Sequence, residues 1–286
     1  MAYQIITDSC CDYPDTMYAE IDVKEVALSV TFRGETTNHY DEAYLKDLYA
    51  GLRAGEVATT AAVNPETWSN AMEEVLKTGE DALVITFSSG LSTTYQSAEI
   101  AASELREKYP ERKIYVVDSL CASLGQGLFV YYAAKKRTAG MGLEELYSWC
   151  LDNRLHLCHW FTVDDLMYLK RGGRVSAATA LVGTMLSIKP VLHVDDEGHL
   201  INVGKARGRK SSIQALADKM GQLQIPGEND TVFICHGDCI EDAKYLESLV
   251  KERYGVKNVL IYYTGAVIAS HSGPGTLALF FIGEHR

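Results

Sequence analysis

Three shortages narrow what this chain can be. The first is positive charge: 27 lysines and arginines face 38 aspartates and glutamates, a formal net charge of −11. A chain of that sign has no electrostatic pull on nucleic acid or on anionic lipid. The second is paired cysteine. Cys10, Cys11, Cys121, Cys150, Cys158, Cys235 and Cys239 are odd in number and include no C-x-x-C pair, so neither a zinc site nor a disulfide framework is supported. They read as reduced thiols, mostly buried as small apolar groups, with Cys10 and Cys11 beside a ligand loop. The third is a long apolar run. None approaches the roughly 20 residues that cross a bilayer. Met1-Ala2-Tyr3-Gln4-Ile5-Ile6 passes straight into a strand without a signal-peptide pattern. A cytoplasmic protein without stable membrane insertion is expected. The G-x-x-x-x-G-K-[ST] phosphate loop and the G-x-S-x-G nucleophile elbow are missing too. No metal or cofactor is expected.

What is present is enough chain, 286 residues, for two cores, with the 47% hydrophobic and 23% charged composition of an ordinary globular protein. Apolar runs alternate with helical periodicity. Tyr3–Thr7, Val26–Phe32, Leu83–Phe87 and Lys113–Asp118 read as strands, with a hairpin turn at Arg33-Gly34-Glu35. Asp41–Arg53, a helix opened by Asn64-Pro65 and running to about Lys77, Ser92–Lys108, Ala122–Ala139 and Leu143–Asn153 read as helices. The alternation changes after about residue 156. There follow a strand Cys158–Val163, a short helix Asp164–Arg171 stopped by Gly172-Gly173, and apolar Leu181–Ile188. Next come a hairpin of Lys189–Val194 and His199–Lys205, a helix Ser211–Leu223, and a βαβ unit from Thr231 to Tyr263. Apolar Ala266–Ser270 and Leu277–Ile282 finish the chain. The expected fold class is α/β: an N-terminal open, largely parallel sheet covered by helices over residues 1–156, then an α+β domain over residues 157–286. Loops at the carboxyl ends of parallel strands form a ligand crevice, which Asp8-Ser9 and Ser88–Thr94 would share. Thr59-Thr60 lacks a strong strand before it.

Within this frame, Thr86-Phe87-Ser88-Ser89-Gly90-Leu91-Ser92-Thr93-Thr94-Tyr95-Gln96-Ser97 is the most informative stretch. It sits where the apolar run Ala82-Leu83-Val84-Ile85 hands over to a helix. The unpaired N–H groups and partial positive charge of a helix start attract anions, and hydroxyls add neutral donors. The plainer alternative is a polar N-cap turn. Asp8-Ser9 serves either capping or ligand contact. Lys170-Arg171-Gly172-Gly173-Arg174 reads as a solvated helix end, or as a docking patch. Lys205–Lys210 carries four positive charges on an acidic protein, a partner or ligand surface.

Several motifs line up in order. They are Thr7-Asp8-Ser9, Thr60 ahead of Pro65, Ser89-Gly90-Leu91-Ser92-Thr93-Thr94-Tyr95-Gln96-Ser97-Ala98, and Asp118-Ser119 through Gly125-Gln126-Gly127. Then come Leu169–Arg174, Lys189-Pro190-Val191-Leu192, Lys205–Lys210 and His271-Ser272-Gly273-Pro274-Gly275. In this order and spacing the chain resembles, over essentially its whole length, the DegV family of bacterial fatty acid-binding proteins that serve fatty acid kinase. The resemblance implies a long-chain fatty acid as ligand, held between the two domains and presented to the kinase for phosphorylation to acyl phosphate, a step of phospholipid metabolism. It implies no catalytic residue in this chain. By position, Thr60, Ser92 and His271 match the residues that hold the carboxylate, and Arg207 matches an arginine near the head group. Thr93, Ser9 and Gly273 are further ligand candidates. Two departures stand out: the family's Thr-Ser-Gln-Pro-Ser reads Thr60-Ala61-Ala62-Val63-Asn64, and the glycine after the serine is Thr93, whose side chain narrows the carboxylate pocket or adds a donor.

These residue types suit the task. Fourteen buried methylenes offer roughly 11 kcal/mol, against several kcal/mol for taking a carboxylate out of water without hydrogen bonds. Hydroxyls and backbone N–H groups supply those bonds without a full opposing charge. A protonated His271 would add one, its pKa raised by the carboxylate. A different class, a serine hydrolase acting on acyl esters, would use Ser92 as nucleophile and His271 as base.

Overall fold

The protein is described by a computed structural model over residues 2–176 and 187–286. In chain order its strands are β1 (Tyr3–Asp8), β2 (Val23–Val26), β3 (Ser29–Phe32), β4 (Glu35–Thr37), β5 (Ala58–Ala61), β6 (Asp81–Thr86), β7 (Ile114–Asp118), β8 (Leu157–Thr162), β9 (Ile188–Val194), β10 (Leu200–Arg207), β11 (Thr231–His236), β12 (Asn258–Tyr263) and β13 (Leu277–Ile282). The first sheet, ordered β2-β1-β6-β7, is wholly parallel. Its central strands are buried end to end, which is why Ile5-Ile6 and Ala82–Ile85 read as continuous apolar runs. The second, β10-β9-β8-β13-β11-β12, mixes antiparallel pairs with one parallel pair, β11 and β12. A small antiparallel sheet, β4-β3-β5, lies apart from both. The fold class is therefore α/β, with a helix-covered parallel sheet and a further mixed sheet.

The register of the first sheet sets Thr7 beside Ile85, Asp8 beside Val26, and Thr86 beside Asp118. The carboxyl ends thus fall in one row, the edge where α/β ligands bind. The helix Leu124–Thr138 joins the sheets: Leu128 and Phe129 share one buried cluster with Ile5 and Leu83 of the first sheet and with Phe233, Ala278 and Phe280 of the second. Ala266, Val267 and Ala269, late in the chain, pack into a cluster otherwise built from residues before 123. The apolar cores of the two halves are shared across residue 156.

The apolar run Val26–Phe32 is not one strand. β2 ends at Val26 and pairs with β1, whereas β3 starts at Ser29 and pairs with β4 and β5. At the break, Ser9 Oγ accepts the Leu28 N–H at 3.0 Å, satisfying a donor that no ladder reaches. Thr59-Thr60 lies on β5, a strand too short and polar for its pattern to show, and Ala266–Ser272 is a helix. The run Leu181–Ile188 lies, through residue 186, outside the described residues. Among the described residues no helix is long and apolar enough to cross a membrane.

Candidate functional site

Two buried carboxylates fix the serine-rich loop. Asp8, with no exposed surface, accepts hydrogen bonds from the N–H of Phe87 at 2.7 Å, the N–H of Cys10 at 3.0 Å and Gln126 Nε2 at 3.2 Å. Asp118 Oδ1 accepts from the N–H of Ser89 at 3.1 Å and of Leu120 at 3.2 Å. Each ties a strand end to the loop after β6. Burial pushes the Asp8 carboxyl up to about 6, and the Phe87 and Cys10 N–H groups oppose the rise. Leu91 and Ser92 turn back on the Ser88 carbonyl, and Ser92 Oγ meets Thr94 Oγ1 at 2.8 Å while accepting the Thr94 N–H at 3.2 Å. Thr93, exposed, occupies the cap of the helix Thr94–Lys108 without a side-chain capping bond.

This loop borders a cavity of about 460 Å³ that is walled further by β5 of the small sheet and by the second sheet. Thr60, Ser92, Thr93 and His271 all line it. A run of contacts links them. Thr60 Oγ1 and His271 Nε2 lie 2.7 Å apart. The other face of the ring packs so closely on Gly172 that a Cβ there would fall 2.3 Å from His271 Nδ1. Arg174 donates to the Gly172 carbonyl and, through Nε and a terminal nitrogen, to the Leu91 carbonyl at 3.2 and 3.1 Å, next to Ser92. Leu28, Phe87, Phe161, Leu169, Val267 and Phe280 supply much of the apolar wall. Such a space, apolar with a few convergent polar groups, is the common form of a small-molecule site.

Arg174 revises the electrostatics. The segment Lys170–Arg174, read from sequence as a solvated helix end or a docking patch, instead turns Arg174, half-buried, into the cavity wall. A full positive charge therefore stands among the neutral donors. It also bears on His271, whose pKa falls to about 4, first by burial and then by the Arg174 charge. Burial and the Arg174 charge thus favour a neutral His271 imidazole near pH 7. Its Nδ1 and the neighbouring Ser272 Oγ are buried without hydrogen-bond partners. Arg174, Ser272, Ser123, His159, Thr264 and Thr276 are polar lining residues that the sequence-based candidates leave out. A glycine pair between two arginines was the available signal for Arg174, since it leaves room for the chain to fold back on the His271 ring.

The remaining candidates do not line this cavity. Arg207, exposed at the end of the edge strand β10, faces solvent. Ser9 is buried holding the Leu28 N–H. Gly273 has φ +75°, and a Cβ there would meet the Tyr168 ring at 2.5 Å, so its freedom serves a turn packed on Tyr168. The hydrolase arrangement needs a hydrogen bond between Ser92 and His271 with an acid behind it. His271 Nε2 is instead engaged by Thr60, and its Nδ1 has no partner. Among the described residues no group of three or more His, Cys, Asp or Glu is arranged to hold a metal ion. The Cys10 and Cys11 thiols are buried and pushed far up by burial and by Asp8, leaving them unreactive.

A family model described as an uncharacterised protein of the DegV family matches residues 2–284. A DegV domain-containing protein of Clostridium perfringens is 44% identical over 99% of this chain and 98% of its own length. Two solved structures overlay over nearly their full length, each with a TM-score of 0.88. One is a DegV lipid-binding protein of Thermotoga maritima, 29% identical, covering 100% of both chains. The other is a DegV family protein of Thermus thermophilus described by its fatty acid binding, 30% identical, covering 99% of this chain and 100% of that one.

Proposed function

We propose, from the premise that this chain belongs to the DegV family, that it binds a long-chain fatty acid in the cavity between its sheets. One observation carries the reading. Four of the candidate residues and Arg174 meet at one cavity that is otherwise mostly apolar. The carboxylate sits against Ser92 Oγ, Thr60, His271 and the Arg174 guanidinium, and the unpartnered Ser272 hydroxyl is a further donor within the same wall. A charge-assisted bond to Arg174 is worth about 1.5–3 kcal/mol, and it offsets much of the carboxylate's desolvation. His271, neutral before binding, gains a proton more readily once an anion lies beside it. The apolar tail runs between β8, β13 and the helix Ala266–Ser272.

Thr93 is exposed and Arg174 half-buried, so the carboxylate end lies near the surface. This supports the second part of the proposal: the protein presents the carboxylate to a fatty acid kinase, which phosphorylates it, and contributes no catalytic group itself. The division into domains at residues 156 and 157 belongs to the same proposal, with the ligand bridging the halves.

Mass spectrometry under non-denaturing conditions tests the binding. Protein purified from a bacterial host is expected to carry an adduct of fatty acid mass. A clean apo mass, with no uptake of added palmitate or oleate, would overturn it.

A further inference from the structure

One face of the helix Ala266–Ser272 and of the turn before it runs along the cavity. Val267, Ile268, His271 and Ser272 of the helix and Thr264 of the turn all line it, the four helical residues at the i, i+1, i+4, i+5 spacing of a single face. At 1.5 Å of rise per residue the helix sets Ala266 about 7.5 Å from His271, and Thr264, two residues further through the extended Gly265, lies roughly 8–14 Å from it. Val267 and Ile268 separate the two, so the cavity has a second polar place, remote from the carboxylate end. There Ser123, Cys235 and Thr264 come together on the wall. The Ser123 hydroxyl is engaged with Asp12 Oδ2 and contacts Cys235 Sγ at 3.3 Å. The Thr264 backbone is satisfied, its N–H donating to the His236 carbonyl at 2.9 Å and its carbonyl accepting from Tyr49 OH at 2.8 Å. Its side-chain hydroxyl is held only weakly: Thr264 has no exposed surface, and Oγ1 makes no well-formed hydrogen bond, with the Cys235 thiol and the Tyr49 hydroxyl as its polar neighbours. A buried, poorly paired hydroxyl is destabilising, and valine would fill the same space without one.

We propose that the cavity is suited to an acyl chain bearing a hydroxyl or oxo oxygen near its middle, which pairs with Thr264 Oγ1 while the carboxylate sits at His271. An extended alkyl chain advances about 1.25 Å per bond, so roughly 8–14 Å is about six to eleven bonds, placing the substituent between about the seventh and the twelfth carbon. A plain saturated chain leaves Thr264 poorly paired, and an oxygen elsewhere along the tail is itself left unpaired among Phe161, Phe280 and their apolar neighbours.

This inference rests on the fatty acid reading above, and competition against a fluorescent fatty acid separates the two. Octadecanoate, 10-hydroxyoctadecanoate and 18-hydroxyoctadecanoate are titrated against the full-length protein and against Thr264→Val and Thr264→Ser, each first shown to melt no lower than the parent. The mid-chain isomer is expected to bind at least tenfold more tightly than the terminal isomer. Thr264→Val should abolish that preference and leave octadecanoate affinity within twofold, and Thr264→Ser should retain it. Binding of octadecanoate with no preference between isomers, or a preference that survives in Thr264→Val, would overturn this inference alone. If none of the three acids binds, the fatty acid reading falls and takes this inference with it.

Discussion

The two ends of the cavity are held by different forces. The wall carrying Ser92 is placed by hydrogen bonds, from Asp8 to Phe87 and from Asp118 to Ser89. The wall carrying Phe161, Ala278 and Phe280 is placed by strand register and apolar packing, Ala278 standing beside Phe161 and Phe280 beside His159 across β13 and β8. On the proposed reading the first wall grips one charged group in one orientation. The second receives the tail mainly by apolar contact, with Thr264 as a polar place along it. Direction is set at one end and chain fit at the other.

The contrast is broken most severely at Asp8. Asp8→Ala strips the buried Phe87 and Cys10 N–H groups of their acceptor and Gln126 of one of its two, and a loss of about 3–5 kcal/mol is expected in urea unfolding, together with loss of ligand binding. A change below 1 kcal/mol would mean that the loop is held by something else. Next comes Arg174→Gln, which removes the permanent charge proposed for the carboxylate. Fatty acid affinity should fall roughly 10- to 100-fold, and the His271 pKa, read by NMR titration of the apo protein, should rise from about 4. An unmoved pKa would detach the arginine from the histidine. Ser92→Ala should weaken binding about tenfold, whereas Cys10→Ala, in a buried thiol outside the cavity, should leave affinity unchanged. Equal effects would misplace the head group.

The smallest effect is a pH dependence. His271 has an ordinary pKa of 6.5 when unfolded and about 4 in the fold. Between those values the unfolded chain holds the proton and the native chain does not. Its contribution is therefore intact above about pH 6.5 and is lost as pH falls toward 4. Buried His159, pushed down to about 3 by burial and by the Arg286 charge, acts in the same direction. His271→Gln should flatten part of the acid limb of the stability profile. An unchanged limb would show that His271 titrates normally in the native protein.

Much of the fold was legible. The parallel strands announce themselves as apolar runs because they are buried on both faces, and Asp41 and Asn64 mark helix starts because each side chain caps the first turn, at 2.7 Å and 2.8 Å. The run Val26–Phe32 misled because one continuous apolar stretch serves two sheets, and nothing local marks a change of partner. The cavity wall was legible where hydroxyls crowd a strand-to-helix loop, as with Ser92 and Thr93, which line it. It was illegible where a residue reaches the cavity by a turn that sequence does not orient. Arg174 looks like Arg171 on paper, yet only Arg174 folds back onto Leu91. Arg207 looks like a head-group arginine, and strand alternation sends it to solvent. Ser272 was hidden behind His271, whose pattern drew the attention.

A crystal structure with a long-chain fatty acid bound puts the head-and-tail assignment to its most direct test. The carboxylate oxygens should lie within hydrogen-bonding distance of Ser92 Oγ and of His271 or Arg174, with the tail running past Val267 toward Phe280. A carboxylate found at the Phe280 end, or a fatty acid bound outside this cavity, would contradict it.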